Sequence, residues 1–163
     1  MVKHTVHRAA LEEIERAFEL VKEYYEKMGV EVREDLGQFE SQYFGEGSGV
    51  WLAEVQGEAV GCIALRELRT QPRCGEIKRM YVHESYRGKG LADSLLLELE
   101  TYAAECGYEW LYLDTMRSML AAARFYARSS YRLCERYNDN PQAGVFMRKR
   151  LTGKARERVR GSE

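Results

Sequence analysis

With 163 residues, 45% of them apolar, the chain is long enough to core one domain and too short for two ordinary ones. A formal net charge of −1 argues against nucleic acid as a partner, and no run of about 18 apolar residues marks a membrane span. Residues 1–60 are acidic on balance and residues 148–163 basic. The start, MVKHTVHRAALEEIERAF, has no apolar run of the secretory type, so the expected location is cytoplasmic. Oligomeric state is not legible, and a homodimer is compatible with the sequence.

Taken in order, KHTVHRA alternates like a strand, and Leu11, Ile14, Phe18, Val21 and Tyr25 then recur at helical spacing up to a stop at Gly29. REDLGQFESQYF reads as a second helix, with Leu36, Phe39 and Tyr43 on one side. GVWLAEV, then QG, then EAVGCIALREL has the pattern of a β-hairpin in which Gly57 takes positive φ. EIKRMYV is a further strand, followed by a helix from about Leu91 to Cys106 and the strand EWLYLDT. A helix SMLAAARFYARS, a strand YRLCERY, a turn NDNPQAG and a last strand VFMRKRL complete the chain. The order β-α-α-β-β-β-α-β-α-β-β predicts a three-layer α/β fold over residues 1–151, with a central mixed, mostly antiparallel sheet flanked by helices. Residues 152–163 read as a solvated basic tail.

Cys62, Cys74, Cys106 and Cys134 are widely spaced, with no C-x-x-C pair, so reduced thiols are expected and no metal site. The chemistry-bearing stretch is YVHESYRGKGLADSLL. Gly88 and Gly90 leave amides uncovered where a helix begins, and the unpaired N–H groups and positive dipole end there attract an anion. Read without further context, an ordinary strand-to-helix turn with Arg87 and Lys89 in solvent fits equally well. A G-x-x-x-x-G-K-[ST] loop is absent, and so is the third glycine of a dinucleotide-binding turn.

EIKRMYVHESYRGKGLADSLL resembles motif A of the GNAT superfamily of acyl-CoA-dependent N-acyltransferases, its [RQ]-x-x-G-x-[GA] signature reading Arg87-x-x-Gly90-x-Ala92. AAARFYARSSYRL is similar to the family's second signature, with Ser130 where Gly is usual and Met119 where many members have Asn. The resemblance implies that acetyl-CoA is the cosubstrate and no metal is needed. It also implies that the backbone of Met80, Tyr81 and Val82 lies along the pantetheine arm, and that the amides of Gly88, Lys89, Gly90, Leu91 and Ala92 hold the pyrophosphate beside Arg87. The Val82 N–H would face the thioester oxygen. Tyr126 matches the tyrosine that protonates the departing thiolate, a role suited to a phenol whose ordinary pKa is near 10.

Glu76 occupies a place where some members carry the general base, with Asp114 as second candidate, and a water relay remains open. Arg79 suits a substrate carboxylate. The expected function is transfer of an acetyl group from acetyl-CoA to the primary amine of a small molecule such as an amino acid, in a ternary complex. The alternatives are a protein N-acetyltransferase and a non-catalytic CoA-binding sensor module.

Overall fold

The computed structural model describes residues 3–29, 31 and 33–151, so the basic tail expected at residues 152–163 lies outside the described residues. Seven strands form one sheet: β1 (Thr5–Arg8), β2 (Gly49–Val55), β3 (Glu58–Glu67), β4 (Cys74–Val82), β5 (Trp110–Thr115), β6 (Arg132–Leu133) and β7 (Val145–Arg150). Four α-helices flank it: α1 (Ile14–Lys27), α2 (Leu36–Tyr43), α3 (Leu91–Glu105) and α4 (Leu120–Arg128). The sheet runs β1-β2-β3-β4-β5-β7-β6. Every pairing is antiparallel except that of β4 with β5.

Both faces of the central strands are apolar because both are covered. On one face Trp51, Ala53, Ile63 and Leu65 pack under Leu91, Leu95, Leu99 and Ala103 of α3. On the other, Val50, Leu52, Cys62 and Ala64 meet Phe18 and Val21 of α1 and Phe39 and Tyr43 of α2. Local chemistry sets the element ends. Asp35 caps α2 by accepting from the Gln38 amide at 2.8 Å, while the Gln38 side chain accepts from the Asp35 amide at 2.9 Å. Gln56 and Gly57 both take positive φ, 51° and 81°, as a two-residue hairpin turn of the primed type requires.

Two irregularities open the sheet where a ligand can enter. The parallel ladder covers only Cys74–Glu76 against Trp110–Tyr112, and beyond it β4 and β5 part. Along the other edge of β4 the register passes from Ala64↔Lys78 to Cys62↔Tyr81. That inserts one extra residue in β4, and Arg79, at φ 56°, lies in this bulge.

The strand expected across residues 131–137 is reduced to Arg132–Leu133. From Arg136 onward the chain is held by side chains instead: the Arg136 guanidinium donates to the carbonyls of Asn138, Asn140 and Ala143.

Ser130 shows why glycine is usual at its position. The Tyr131 amide donates to the Tyr126 carbonyl at 2.9 Å and the Ser130 amide to that of Ala127 at 3.2 Å, closing α4 with the paired bonds of a Schellman turn. That turn places Ser130 at φ 75°, which is unfavourable for a residue with a Cβ. Ser130→Gly should therefore raise unfolding stability by about 0.5–1 kcal/mol, the strain relieved being partly offset by glycine's greater freedom when unfolded. Urea unfolding with an unchanged midpoint would contradict this.

Candidate active site

The gap between β4 and β5 continues into a cleft of about 360 Å³. Its walls come from α1 and the segment after it, from Arg66 of β3, from Ile77 to Met80 of β4, from the end of β5, from Met119 and α4, and from residues 140–143. Of the residues singled out in the sequence, Arg79, Met80, Asp114 and Tyr126 line this one cleft.

The turn before α3 follows directly from the end of β4. The Arg87 Nε donates to the Val82 carbonyl at 3.0 Å, and the Ser85 amide donates to His83 Nδ1 at 3.3 Å. Gly88 and Gly90 then take φ 74° and 87°, and Gly90 is the N-cap of α3. A Cβ built on Gly88 would meet nothing within 4 Å, so the turn is open to its surroundings. The first-turn amides of α3, from Leu91 on, have no acceptor inside the helix.

Ladder alternation fixes which backbone groups of β4 face the gap. The His83 amide donates to the Val60 carbonyl at 2.7 Å, so His83 and Val60 form a hydrogen-bonded pair and the next pair, Val82 with Gly61, does not. The Val82 N–H and carbonyl therefore point away from β3 and toward the gap, where Arg87 takes the carbonyl. Tyr81 is turned the other way. Its backbone is paired with Cys62, and its ring packs on Tyr24 with centroids 5.6 Å apart. Ladder alternation thus turns the Val82 backbone toward the gap, while Met80, in the bulge, lines the cleft.

Tyr126 is 4% exposed, with edge contacts to the rings of Phe125 and Tyr131 at 5.1 and 5.4 Å. Burial pushes its phenol far above the ordinary value, with smaller contributions from Tyr24 and Glu100. It is accordingly fully protonated at neutral pH and available as a donor.

The two carboxylates differ in access. Glu76 is 2% exposed and lies outside the cleft wall. It accepts from Arg66 Nε at 2.9 Å, the Tyr137 hydroxyl at 2.8 Å and Asn138 Nδ2 at 3.2 Å. Asp114 reaches the cleft, where it accepts from Lys78 Nζ at 3.3 Å and from Asn138 and Asn140 at 2.6 and 3.4 Å. Burial works to raise the Asp114 pKa, but the Lys78 charge and the two asparagines outweigh it and hold the carboxyl below its usual range. Asp114 is thus an anion at neutral pH, suited to anchoring an ammonium and poorly suited to taking its proton.

Removing a buried acid that satisfies three donors leaves an uncompensated site. Glu76→Ala should cost about 3 kcal/mol, roughly a 6–12 °C fall in Tm for a domain of this size, whereas Glu76→Gln should lose less. A Tm within 2 °C of the parent's for Glu76→Ala would contradict this anchoring role.

Several cleft residues carried no signal in the sequence. Arg66 follows the apolar run CIAL on β3, and a cation there was the one available hint. Tyr25 reads in the sequence only as part of the apolar face of α1 and Asn140 only as part of a turn, while Tyr24 and Met28 carry no signal of their own. Among the described residues, His7, Glu13 and Glu54 lie close enough together to hold an ion. Arg16 already bridges both glutamates, at 3.1 and 3.0 Å, and none of these residues lines the cleft.

Comparison with known proteins identifies the family and the fold. An uncharacterised N-acetyltransferase of Schizosaccharomyces pombe is 33% identical over 137 residues, covering 79% of this chain and 83% of that protein. The N-acetylaspartate synthetase of Xenopus tropicalis is 32% identical over 96 residues, and the match spans 58% of this chain but only 35% of that longer protein. The crystal structure of a GNAT-family acetyltransferase from Staphylococcus aureus Mu50 superposes with a TM-score of 0.80 at 20% identity, covering 92% of this chain and 100% of that one. The family model described as Acetyltransferase (GNAT) family matches residues 11–131, and with the strand gap, the glycine turn and Tyr126 in place, the chain belongs to that family of N-acetyltransferases.

Proposed function

We propose that this protein transfers the acetyl group of acetyl-CoA to the primary amine of a small, carboxylate-bearing molecule, directly and within a ternary complex. The observation that carries the reading is the convergence of Tyr126, Asp114 and Arg79 on one cleft at the gap toward which the Val82 N–H points. A cleft of about 360 Å³ is in the range of small-molecule sites. The N-acetylaspartate synthetase relative supports an amino-acid acceptor.

In this reading the open amides that begin α3, with Arg87 and Lys89 beside them, bind the pyrophosphate of the donor. The acceptor's ammonium is held by Asp114 and gives its proton to water before it attacks. Glu76, enclosed by Arg66, Tyr137 and Asn138, acts by fixing Asn138, which in turn holds Asp114. As the amine nitrogen bonds to the acetyl carbon, the Val82 N–H faces the charge developing on the thioester oxygen, a preorganised donor that needs no rearrangement. The carbon–sulfur bond then breaks, Tyr126 supplies the proton to the departing thiolate, and the second proton lost from the nitrogen as the amide forms restores the phenol through water.

Arg79 provides the test of the acceptor end. Its Nε is paired with Glu34 Oε1 at 3.2 Å, and the guanidinium lies 5.2 Å from the Tyr25 ring centroid, a fixed orientation with the fork left for a carboxylate. Arg79→Ala should raise the acceptor KM about tenfold or more with little change in the KM for acetyl-CoA. Arg79→Lys should recover only part of the loss, because an ammonium lacks the two-pronged geometry. An acceptor KM equal to the parent's in Arg79→Ala, measured with a carboxylated amine, would remove Arg79 from the site.

A further inference from the structure

The cleft's cations are not equally available. Lys78 is committed to Asp114 at 3.3 Å, with Glu76 at 3.9 Å. Arg66 is committed through Nε to Glu76 and through Nη1 to Gln42 Oε1 at 2.6 Å. Arg79 is held only through Nε, and among the described residues neither of its Nη atoms has a hydrogen-bond partner. Arg33 stands exposed at the rim with Glu31, also exposed, nearby in the same wall, and water screens both. Among the described cleft residues, Arg79, whose Nε is paired with Glu34, is thus the cation inside the cleft whose two Nη groups remain open, and such a pair is what one carboxylate takes.

The rest of the wall is of a different kind. Met28, Met80, Met116 and Met119 all line the cleft, and all four are only partly buried. Four partly buried methionine side chains around one opening present apolar, polarisable surface that a ligand gains by covering, and their flexibility lets them adapt to its shape. At the β5 end an incoming acidic side chain would meet the Asp114 carboxylate, whose one ammonium partner is already engaged.

We infer that the acceptor is an amine with a single carboxylate and an apolar body, the class of aliphatic and thioether amino acids, and that a second carboxylate is selected against. This deepens the acetyl-transfer reading above and rests on it. The amino group is directed toward Asp114, the carboxylate toward the Arg79 fork, and the side chain covers the methionines.

A matched set of acceptors tests this with acetyl-CoA in a thiol-release assay: L-leucine, L-methionine, L-aspartate, L-glutamate and 3-methylbutylamine, which is leucine without its carboxylate. The kcat/KM for leucine or methionine should exceed those for the other three by at least tenfold. In a second readout, leucine added to the CoA-bound protein should raise Tm and aspartate should not. Aspartate or glutamate used as well as leucine would overturn the inference while leaving acetyl transfer to a carboxylated amine intact. Equal use of 3-methylbutylamine would overturn the carboxylate reading and the inference with it.

Discussion

Gly90→Val should abolish the thermal stabilisation that acetyl-CoA gives the parent protein. A ligand bound only by the folded state, at a hundred times its Kd, contributes about 2.7 kcal/mol, which for a domain of this size is roughly a 5–11 °C rise in Tm. Gly90 holds φ 87° at the N-cap of α3, a conformation that a β-branched residue adopts only with strain of about 1–3 kcal/mol. Valine would thus both shift the turn and cover the amides proposed to bind the pyrophosphate. Gly90→Asn separates the two effects, since asparagine tolerates the left-handed region. It should keep the apo Tm near the parent's and still weaken the ligand-induced shift. A full shift in Gly90→Val, in a variant shown by circular dichroism to be folded, would move the phosphate site away from the glycine turn.

Tyr126→Phe should lower kcat by about a hundredfold, within the range that one general acid contributes, with acetyl-CoA affinity nearly unchanged. In the proposed mechanism the hydroxyl acts when charge develops on the leaving sulfur, so its loss falls on the transition state and not on ground-state binding. The ring contacts with Phe125 and Tyr131 do not involve the hydroxyl, and phenylalanine should preserve them. The variant should also lose more rate with acetyl-CoA than with a thioester whose thiol is more acidic, because a better leaving group needs the proton less. A kcat equal to the parent's with the best amine would assign the proton to another donor.

What the sequence displays are features fixed by neighbours in the chain. Helical spacing in α1 and α3, the QG turn and the glycine turn before α3 are local, and each lies where its spacing predicts, with Gly57, Gly88 and Gly90 all at positive φ. Ser130 marks the same logic by exception: the conformation persists with the glycine replaced. What the sequence conceals depends on strands meeting across the sheet. Nothing adjacent to Arg79 in sequence announces a bulge, because the bulge exists only relative to β3. Glu76 and Asp114 look alike as strand-borne acids, and only Tyr137, Asn138 and Arg66, arriving from distant segments, enclose one and leave the other at the cleft. The stretch YRLCERYNDNP has the alternation of a strand, yet after Leu133 it leaves the sheet, and the Asn side chains it carries to Glu76 and Asp114 become part of the site.

Whether the cleft carries out transfer or merely binds CoA can be read from the products. The most direct measurement is to incubate the protein with acetyl-CoA and a panel of amines, follow free CoA thiol, and identify the N-acetylated amine by mass. Amine-dependent thiol release is expected, matched mole for mole by N-acetylated product and suppressed about a hundredfold in Tyr126→Phe. Acetyl-CoA that binds and raises Tm, yet yields no thiol above the protein-free rate with any amine, would overturn the proposed transfer and leave a CoA-binding module.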